Sequence, residues 1–209
     1  MAAVTWYFDF VSPFSYFSLL RLSELPDDAK VTLQPILFAG VLDHWGQKGP
    51  AEIASKRVWT YQSCVWLAQR HGWLFRMPAR HPFNPLPYLR LSIAAANEPA
   101  AIRRIFDQLW TTGVDPAEGQ VVADLARDLR IDPARLADQD VKDSLRLQTE
   151  QAIARGVFGV PTFAVGEQLF WGSDAVEFVS AYLRDPGILA TEEMRRAATL
   201  PVGVERLRR

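Results

Sequence analysis

Strand-type segments lie near the two ends of this chain, and a long helical block separates them. The amino-terminal part reads β-α-β: residues 4–11 are aromatic and β-branched, a helix begins after Ser12, and residues 30–37 form a second strand. The carboxy-terminal part reads β-β-α, with strands at 159–165 and 168–171 before a last amphipathic helix. This order predicts an α/β fold with a thioredoxin-like core that is interrupted by a large all-helical insertion.

The same pattern divides the chain into three parts. We expect residues 1–40 and 156–185 to form the thioredoxin-like domain, residues 41–155 the inserted helical domain and residues 186–209 a basic tail. Pro35 predicts an irregular or edge position for the second strand. The tail is predicted to be a solvated surface helix with a frayed end, and its basic residues are Arg195, Arg196, Arg206, Arg208 and Arg209.

Composition removes several classes of function. Hydrophobic residues make up 49% of the 209 positions, which is enough for a buried core. The net charge of -1 gives no basic surface for nucleic acid or an anionic membrane. One cysteine, Cys64, excludes an intramolecular disulfide, a CxxC pair and a cysteine-rich zinc site. The three histidines lack ligand-like spacing, so no metal is predicted.

Targeting signals are also missing from the sequence pattern. The first residues run directly into a strand-type segment, without the basic head and apolar core of a signal peptide. No apolar stretch is long enough to span a bilayer. We therefore expect a cytoplasmic protein that does not enter a membrane.

Ser12 occupies the position where a thioredoxin-like core presents its reactive group, at the amino terminus of the first helix. Redox members of this fold carry CxxC there, whereas this chain reads Ser12-Pro13-Phe14-Ser15. A serine cannot cycle through a disulfide, but its hydroxyl can donate a hydrogen bond to another molecule's thiolate and lower the pKa of that thiol. Glutathione is the natural candidate. The alternative is that Ser12 serves only as a helix cap.

Two later motifs complete the pattern. Val160-Pro161 opens a strand, and a cis proline there would expose the backbone N–H and C=O of Val160 to an extended peptide ligand. Trp171-Gly172-Ser173-Asp174 begins the last helix. Ser173 and Asp174 either stabilise that helix start alone or hold the ammonium and carboxylate of a γ-glutamyl group.

With these motifs in order, the chain resembles the 2-hydroxychromene-2-carboxylate isomerases, relatives of kappa-class glutathione transferases in the DsbA-like group. The resemblance covers about residues 4–183. Three segments carry it: FDFVSPFSY at 8–16, GVFGVPTF at 156–163 and WGSD at 171–174.

The resemblance implies a binding site for glutathione. Its sulfur would lie at Ser12 and its cysteinyl backbone against Val160, beside a cis Pro161. Its γ-glutamyl end would lie at Ser173 and Asp174, next to Trp171. Relatives often contact glutathione through an asparagine in the loop after the second strand, and this chain has Gln47 there.

On the substrate side the chain departs from the family. Many members show Lys-x-x-Tyr-x-x-x-Asp-x-x-Arg in the following helix, and this chain keeps Lys56 but has Trp59, Ser63 and Trp66 at the other positions. The two tryptophans predict that the wall of the substrate site is more apolar here than in those members. Candidate polar contacts to the substrate are Lys56, Asn84 and Arg90, although Arg90 is equally well explained as a surface helix residue.

The implied function is glutathione-dependent isomerisation of a 2-hydroxychromene-2-carboxylate-type compound to the trans-benzylidenepyruvate form in aromatic degradation. The expected partners are therefore glutathione and a small aromatic molecule, and family relatives are commonly homodimers. Two alternatives stay open. One is a kappa-type glutathione transferase, and the other is a diverged, non-catalytic DsbA-like binding protein.

Overall fold

The computed structural model describes residues 3–204, which are built around one mixed four-stranded sheet with the order β2-β1-β3-β4. The strands are β1 (Ala3–Phe8), β2 (Lys30–Pro35), β3 (Thr162–Val165) and β4 (Gln168–Trp171). β1 pairs parallel to β2 and antiparallel to β3, which pairs antiparallel to β4. β2 is an edge strand, one of the two positions that Pro35 predicts.

Helices fill the interval between the two halves of the sheet. Within residues 3–204 the helices are α1 (Pro13–Leu20), α2 (Phe38–Trp45), α3 (Ala54–His71), α4 (Leu86–Ala94), α5 (Pro99–Thr111), α6 (Gly119–Asp128), α7 (Gln139–Ala154), α8 (Ala175–Arg184) and α9 (Glu192–Ala198). Only α1 lies between β1 and β2, and α8 follows β4. The predicted α/β fold, a thioredoxin-like core with a helical insertion, is therefore confirmed.

Side chains of β1 alternate between two hydrophobic clusters, as the period of a strand requires. Trp6 and Phe8 stack at 4.4 Å on one face and belong to the larger cluster. Phe106 of α5 packs against Phe8 at 5.6 Å, so the inserted helices bury the same strand as α1 does. Tyr7 faces the smaller cluster, which includes Ile36 and residues near α7.

Four local predictions were wrong in extent. The first strand ends at Phe8 rather than at Val11, because Asp9 turns the chain by accepting the Val11 N–H on its side chain at 3.0 Å. The first helix, which Pro26 predicts to run to about Leu25, ends at Leu20 and is followed by a separate 3-10 turn. The second and third strands are Lys30–Pro35 and Thr162–Val165, shorter than the predicted 30–37 and 159–165.

The last part of the chain packs on the outside of the core. Arg195 and Arg196 lie on the exposed helix α9, whereas Arg206, Arg208 and Arg209 lie outside the described residues. Between residues 3 and 204, no helix combines the length and the apolar character that crossing a bilayer requires.

Candidate active site

Ser12 begins α1 and is almost fully buried. Its side-chain oxygen accepts the N–H of Ser15 at 3.2 Å, and Pro13 occupies the first helical position, as the Ser-Pro pair predicts. The hydroxyl proton of Ser12 has no acceptor among residues 3–204, and the N–H of Phe14 has none either. Both donors lie at the positive end of a helix dipole, so they suit an anion.

The turn before Ser12 is anchored by a buried acid. Asp9 accepts the N–H of Val11 on one carboxylate oxygen and the N–H of Phe38 on the other, at 3.0 and 2.8 Å. Burial raises the pKa of Asp9 to about 7, against the opposing effect of these hydrogen bonds. Asp9 therefore joins the start of α1 to the start of α2.

A cavity of about 620 Å³ lies beside this turn. It is bordered by α1, the end of α3, the segment before β3 and the turn between β4 and α8. Five of the residues predicted to bind glutathione line it: Val160, Pro161, Trp171, Ser173 and Asp174. Ser12 itself is not part of the lining, but Phe14, two residues further along α1, is.

The Val160-Pro161 peptide bond is cis, as predicted. The N–H and C=O of Val160 have no hydrogen-bond partner in the described part of the chain, so they are available to an extended ligand. Gly159 lets the indole of Trp171 lie against this segment, because a Cβ at Gly159 would stand 2.5 Å from the indole nitrogen. Trp171 also packs on Phe158, with ring centroids 5.3 Å apart.

Arg21 holds the turn that carries Ser173 and Asp174. One terminal nitrogen of its guanidinium donates to the Ser173 carbonyl at 3.0 Å, and two other guanidinium nitrogens bind Glu24 at 2.8 Å each. The hydrogen bonds to Glu24 raise the pKa of Arg21. Gly172 adopts φ +111°, and any Cβ there would overlap the Asp174 carboxylate. The turn thus presents an acid and a hydroxyl at the cavity rim.

The remaining predicted residues lie elsewhere. Gln47 is exposed just after α2, and Lys56 is exposed on α3. Asn84 accepts the N–H of Leu86 at 3.1 Å, at the start of α4. Arg90 is half-buried on α4, and its Nε has no hydrogen-bond partner within residues 3–204. The structure does not bring these four side chains to the cavity.

The predicted apolar wall is formed by other residues. Trp59 and Trp66 are 70% and 55% exposed on α3 and do not line the cavity. The wall is instead made of Phe14, Phe17, Leu67 and Trp73. For Phe14 and Phe17 the sequence carries a signal, since both are aromatic residues that follow a Ser-Pro helix start. No sequence signal places Leu67 or Trp73 at the cavity.

A guanidinium and an imidazole at the cavity were also missed. Arg21 and His71 both line it, and His71 stacks on Trp73 with centroids 4.4 Å apart. The sequence places His71 at a helix end, which only suggests a favourable dipole interaction. Cys64 is fully buried, and burial raises the pKa of its thiol to about 12, so it is an inert core residue. Across the described residues, no three side chains of metal-binding type converge.

Comparison with known proteins finds relatives in the DsbA-like group. A family model described as a DSBA-like thioredoxin domain matches residues 3–184. A 2-hydroxychromene-2-carboxylate isomerase of Pseudomonas putida is 32% identical over 183 residues, covering 82% of this chain and 89% of the relative. A glutathione S-transferase kappa 2 of Caenorhabditis elegans is 27% identical, covering 88% of this chain and 92% of the relative.

A solved structure supports the same grouping. The structure of a selenomethionine 2-hydroxychromene-2-carboxylate isomerase superposes with a TM-score of 0.75 at 27% identity. The match covers 90% of this chain and 98% of the other.

Proposed function

Because the chain belongs to the DsbA-like thioredoxin family and, within it, to the 2-hydroxychromene-2-carboxylate isomerases, we propose that it is a glutathione-dependent isomerase. Its substrate would be a 2-hydroxychromene-2-carboxylate-type compound, which it would convert to the trans-benzylidenepyruvate form in aromatic degradation. The cytoplasm, whose thiol pool is glutathione, would be its location.

The observation that carries this proposal is the free hydroxyl proton of Ser12. The Ser15 N–H occupies one lone pair of Ser12 and leaves the proton to a ligand. A donor at this point favours the thiolate form of a bound thiol, as does the positive end of α1. The chain itself offers no reactive thiol here, since its one cysteine is buried in the core. Disulfide exchange at this turn is therefore excluded.

The residues around the cavity fit glutathione. The unpaired backbone groups of Val160 suit its cysteinyl residue, and Asp174 with Ser173 suits the ammonium and carboxylate of its γ-glutamyl end. Trp171 would cover the ligand from one side. Gln47 stays a predicted contact from the loop after α2.

When bound, glutathione supplies a nucleophilic sulfur that adds reversibly to a conjugated substrate and so allows rotation about the former double bond. Ser12 stabilises negative charge on that sulfur before addition and again after expulsion. The apolar wall, including Phe14 and Trp73, excludes water and packs on the aromatic ring. The Arg21 guanidinium lines this cavity and would pair with a substrate carboxylate, and the His71 imidazole offers a second polar contact. Lys56, Asn84 and Arg90 stay predicted substrate contacts.

A kappa-type transferase is the second candidate, because a kappa-class relative matches 88% of the chain. A transferase would release a stable glutathione adduct, whereas an isomerase returns glutathione unchanged. Mass spectrometry of the products after incubation with a model electrophile and with a chromene carboxylate distinguishes the two activities.

Size-exclusion chromatography with light scattering tests the predicted homodimer.

Thermal unfolding with glutathione tests the site. A ligand at about 100 times its dissociation constant adds about 2.7 kcal/mol to the stability, so we expect a clear rise in Tm. Ser12→Ala should keep its fold, bind S-methylglutathione as the wild type does and isomerise substrate at least about tenfold more slowly. Ser23→Ala, at an exposed serine, is the control. The proposal fails if saturating glutathione leaves Tm unchanged or if Ser12→Ala keeps full turnover.

A further inference from the structure

Two side chains of the helical insertion hold the backbone of the turn that precedes Ser12. The Trp110 indole N–H donates to the carbonyl of Phe10 at 3.0 Å, and Nε2 of His81 lies 2.7 Å from the carbonyl of Val11. The two rings are neighbours, with centroids 5.5 Å apart. The last two carbonyls before Ser12 are therefore oriented by residues that lie 70 and 100 positions away along the chain.

The hydrogen bond from His81 defines its tautomer. A backbone carbonyl only accepts, so Nε2 must carry a proton. Burial lowers the pKa of His81, which favours the neutral ring with Nδ1 as an acceptor. The Tyr61 hydroxyl lies 2.7 Å from Nδ1 and 2.7 Å from the carbonyl of His81. The one proton of this hydroxyl serves either Nδ1 or the carbonyl, so Tyr61 of α3 holds His81 through one donated hydrogen bond at a time.

The carbonyl of Val11 belongs to the peptide unit that joins Val11 to Ser12. Rotation of this unit changes the direction in which Ser12 leaves the turn, and with it the position of the Ser12 hydroxyl. The N–H of the same unit donates to the carbonyl of Asp9 at 3.1 Å. His81 and Asp9 therefore hold the peptide plane from its two sides, which leaves little freedom for rotation.

We propose that His81 is a positioning residue: it orients the Ser12 hydroxyl toward the sulfur through the Val11 carbonyl, with Tyr61 fixing the imidazole. This inference rests on the proposed function. It gives a function to a histidine that does not line the cavity. Through this histidine, the helical insertion shapes the reactive turn of the thioredoxin-like core. A displacement of the hydroxyl by about 1 Å is enough to reduce turnover by up to about a hundredfold.

The test compares three variants by the pKa of the bound glutathione thiol, measured from ultraviolet thiolate absorbance, and by turnover. His81→Leu removes the donor to Val11, and we expect the thiol pKa to rise by about one unit and kcat to fall at least about tenfold. His81→Gln places an amide N–H near the position of Nε2, so its thiol pKa and its kcat should both lie close to those of the wild type. Tyr61→Phe should show an intermediate loss. Affinity for S-methylglutathione, which has no ionisable thiol, should stay within about twofold of wild type in all three.

His44→Leu is the matched control, because the side chain of His44 is exposed and makes no hydrogen bond within residues 3–204. A wild-type protein that binds glutathione without lowering its thiol pKa would contradict the proposed function itself. If the wild type lowers the thiol pKa and both His81→Leu and Tyr61→Phe lower it by the same amount, the positioning role is wrong. Equal losses in His81→Gln and His81→Leu would also overturn it, since packing rather than the donor would then be responsible. Should His81→Leu not fold, Tyr61→Phe alone decides.

Discussion

Single polar residues determine the shape of the turn between β1 and α1. Asp9 is fully buried, and its carboxylate accepts one N–H from the turn and one from the start of α2. Ser12 then caps α1, and His81 holds the carbonyl of Val11. Because each of these groups has a specified partner, one substitution here changes the position of the Ser12 hydroxyl without removing any of the hydrophobic core.

The titration of Asp9 makes stability depend on pH. Burial raises its pKa to about 7 in the folded protein, from 3.8 as the ordinary value of the unfolded chain. Between these values the folded state binds a proton that the unfolded state has released. The contribution of Asp9 is therefore fully present below the unfolded pKa and is lost as pH rises through about 7, with a slope of up to about 1.4 kcal/mol per pH unit.

Urea unfolding at several pH values measures this contribution. In Asp9→Asn the fall in stability toward neutral pH should be smaller than in the wild type, because the titrating group is gone. Asp28→Asn, at an exposed aspartate, should follow the wild-type curve. Parallel curves for Asp9→Asn and the wild type would show that Asp9 does not titrate in this range.

Helix α2 depends on distant elements for its start. Its cap residue, Leu37, provides no side-chain cap, and its N–H donates instead to the Thr149 hydroxyl of α7 at 3.0 Å. The next amide, of Phe38, donates to Asp9. At the other end α2 stops at Gly46 in a left-handed conformation, φ 61°. The position of Gln47, which follows directly, therefore depends on how α7 and the Asp9 turn pack.

Thr149→Val tests this dependence because it keeps the shape of the side chain and removes the hydroxyl. The Leu37 N–H then loses its acceptor, and we expect the free energy of unfolding to fall by about 1–3 kcal/mol. Thr149→Ser keeps the hydroxyl and should lose less, although its missing methyl group leaves a small gap beside Gly40. Chemical denaturation measures both. A serine variant less stable than the valine variant would contradict this account of α2.

The whole molecule shares one large hydrophobic cluster between sheet and insertion. Trp6, Phe8 and Phe10 of the β1 region pack with Phe106 of α5, and Phe10 and Phe106 are 4.6 Å apart. Tyr16 of α1 lies 6.0 Å from the same phenylalanine. Neither part of the chain buries these rings without the other, so the two halves stabilise each other.

We therefore expect one cooperative unfolding transition. Far-ultraviolet and near-ultraviolet circular dichroism should give the same urea midpoint. Phe106→Ala should lower the free energy of unfolding by about 3–5 kcal/mol and keep a single transition, because it opens a cavity that both halves share. Phe178→Ala, at a partly exposed ring on α8, should lower the free energy of unfolding by clearly less. Two separate midpoints in the wild type would mean that the insertion folds independently.

The family resemblance and the element order together predicted three local features that the structure contains: the Ser12 cap, the cis bond before Pro161 and the turn at Trp171–Asp174. Ser12, the cis Pro161 and the Trp171–Asp174 turn each follow from residues adjacent in the chain, and the last two line the cavity. Gln47 and Lys56 followed from matching single positions to the family pattern, and the structure places them on the surface outside the cavity lining. Local position determines which element a residue belongs to, but not where its side chain points.

The sequence by itself determined the α/β class, the interruption of the core by helices and the Ser12 cap, because periodicity, Ser-Pro and Gly signals act between near neighbours. Only the tertiary structure decided which side chains reach the reactive turn. Arg21 contacts Ser173 from 152 positions away, and His81 contacts Val11 from 70. Such pairs depend on how helices pack on the sheet, and packing is a property of the whole folded chain rather than of any segment of it.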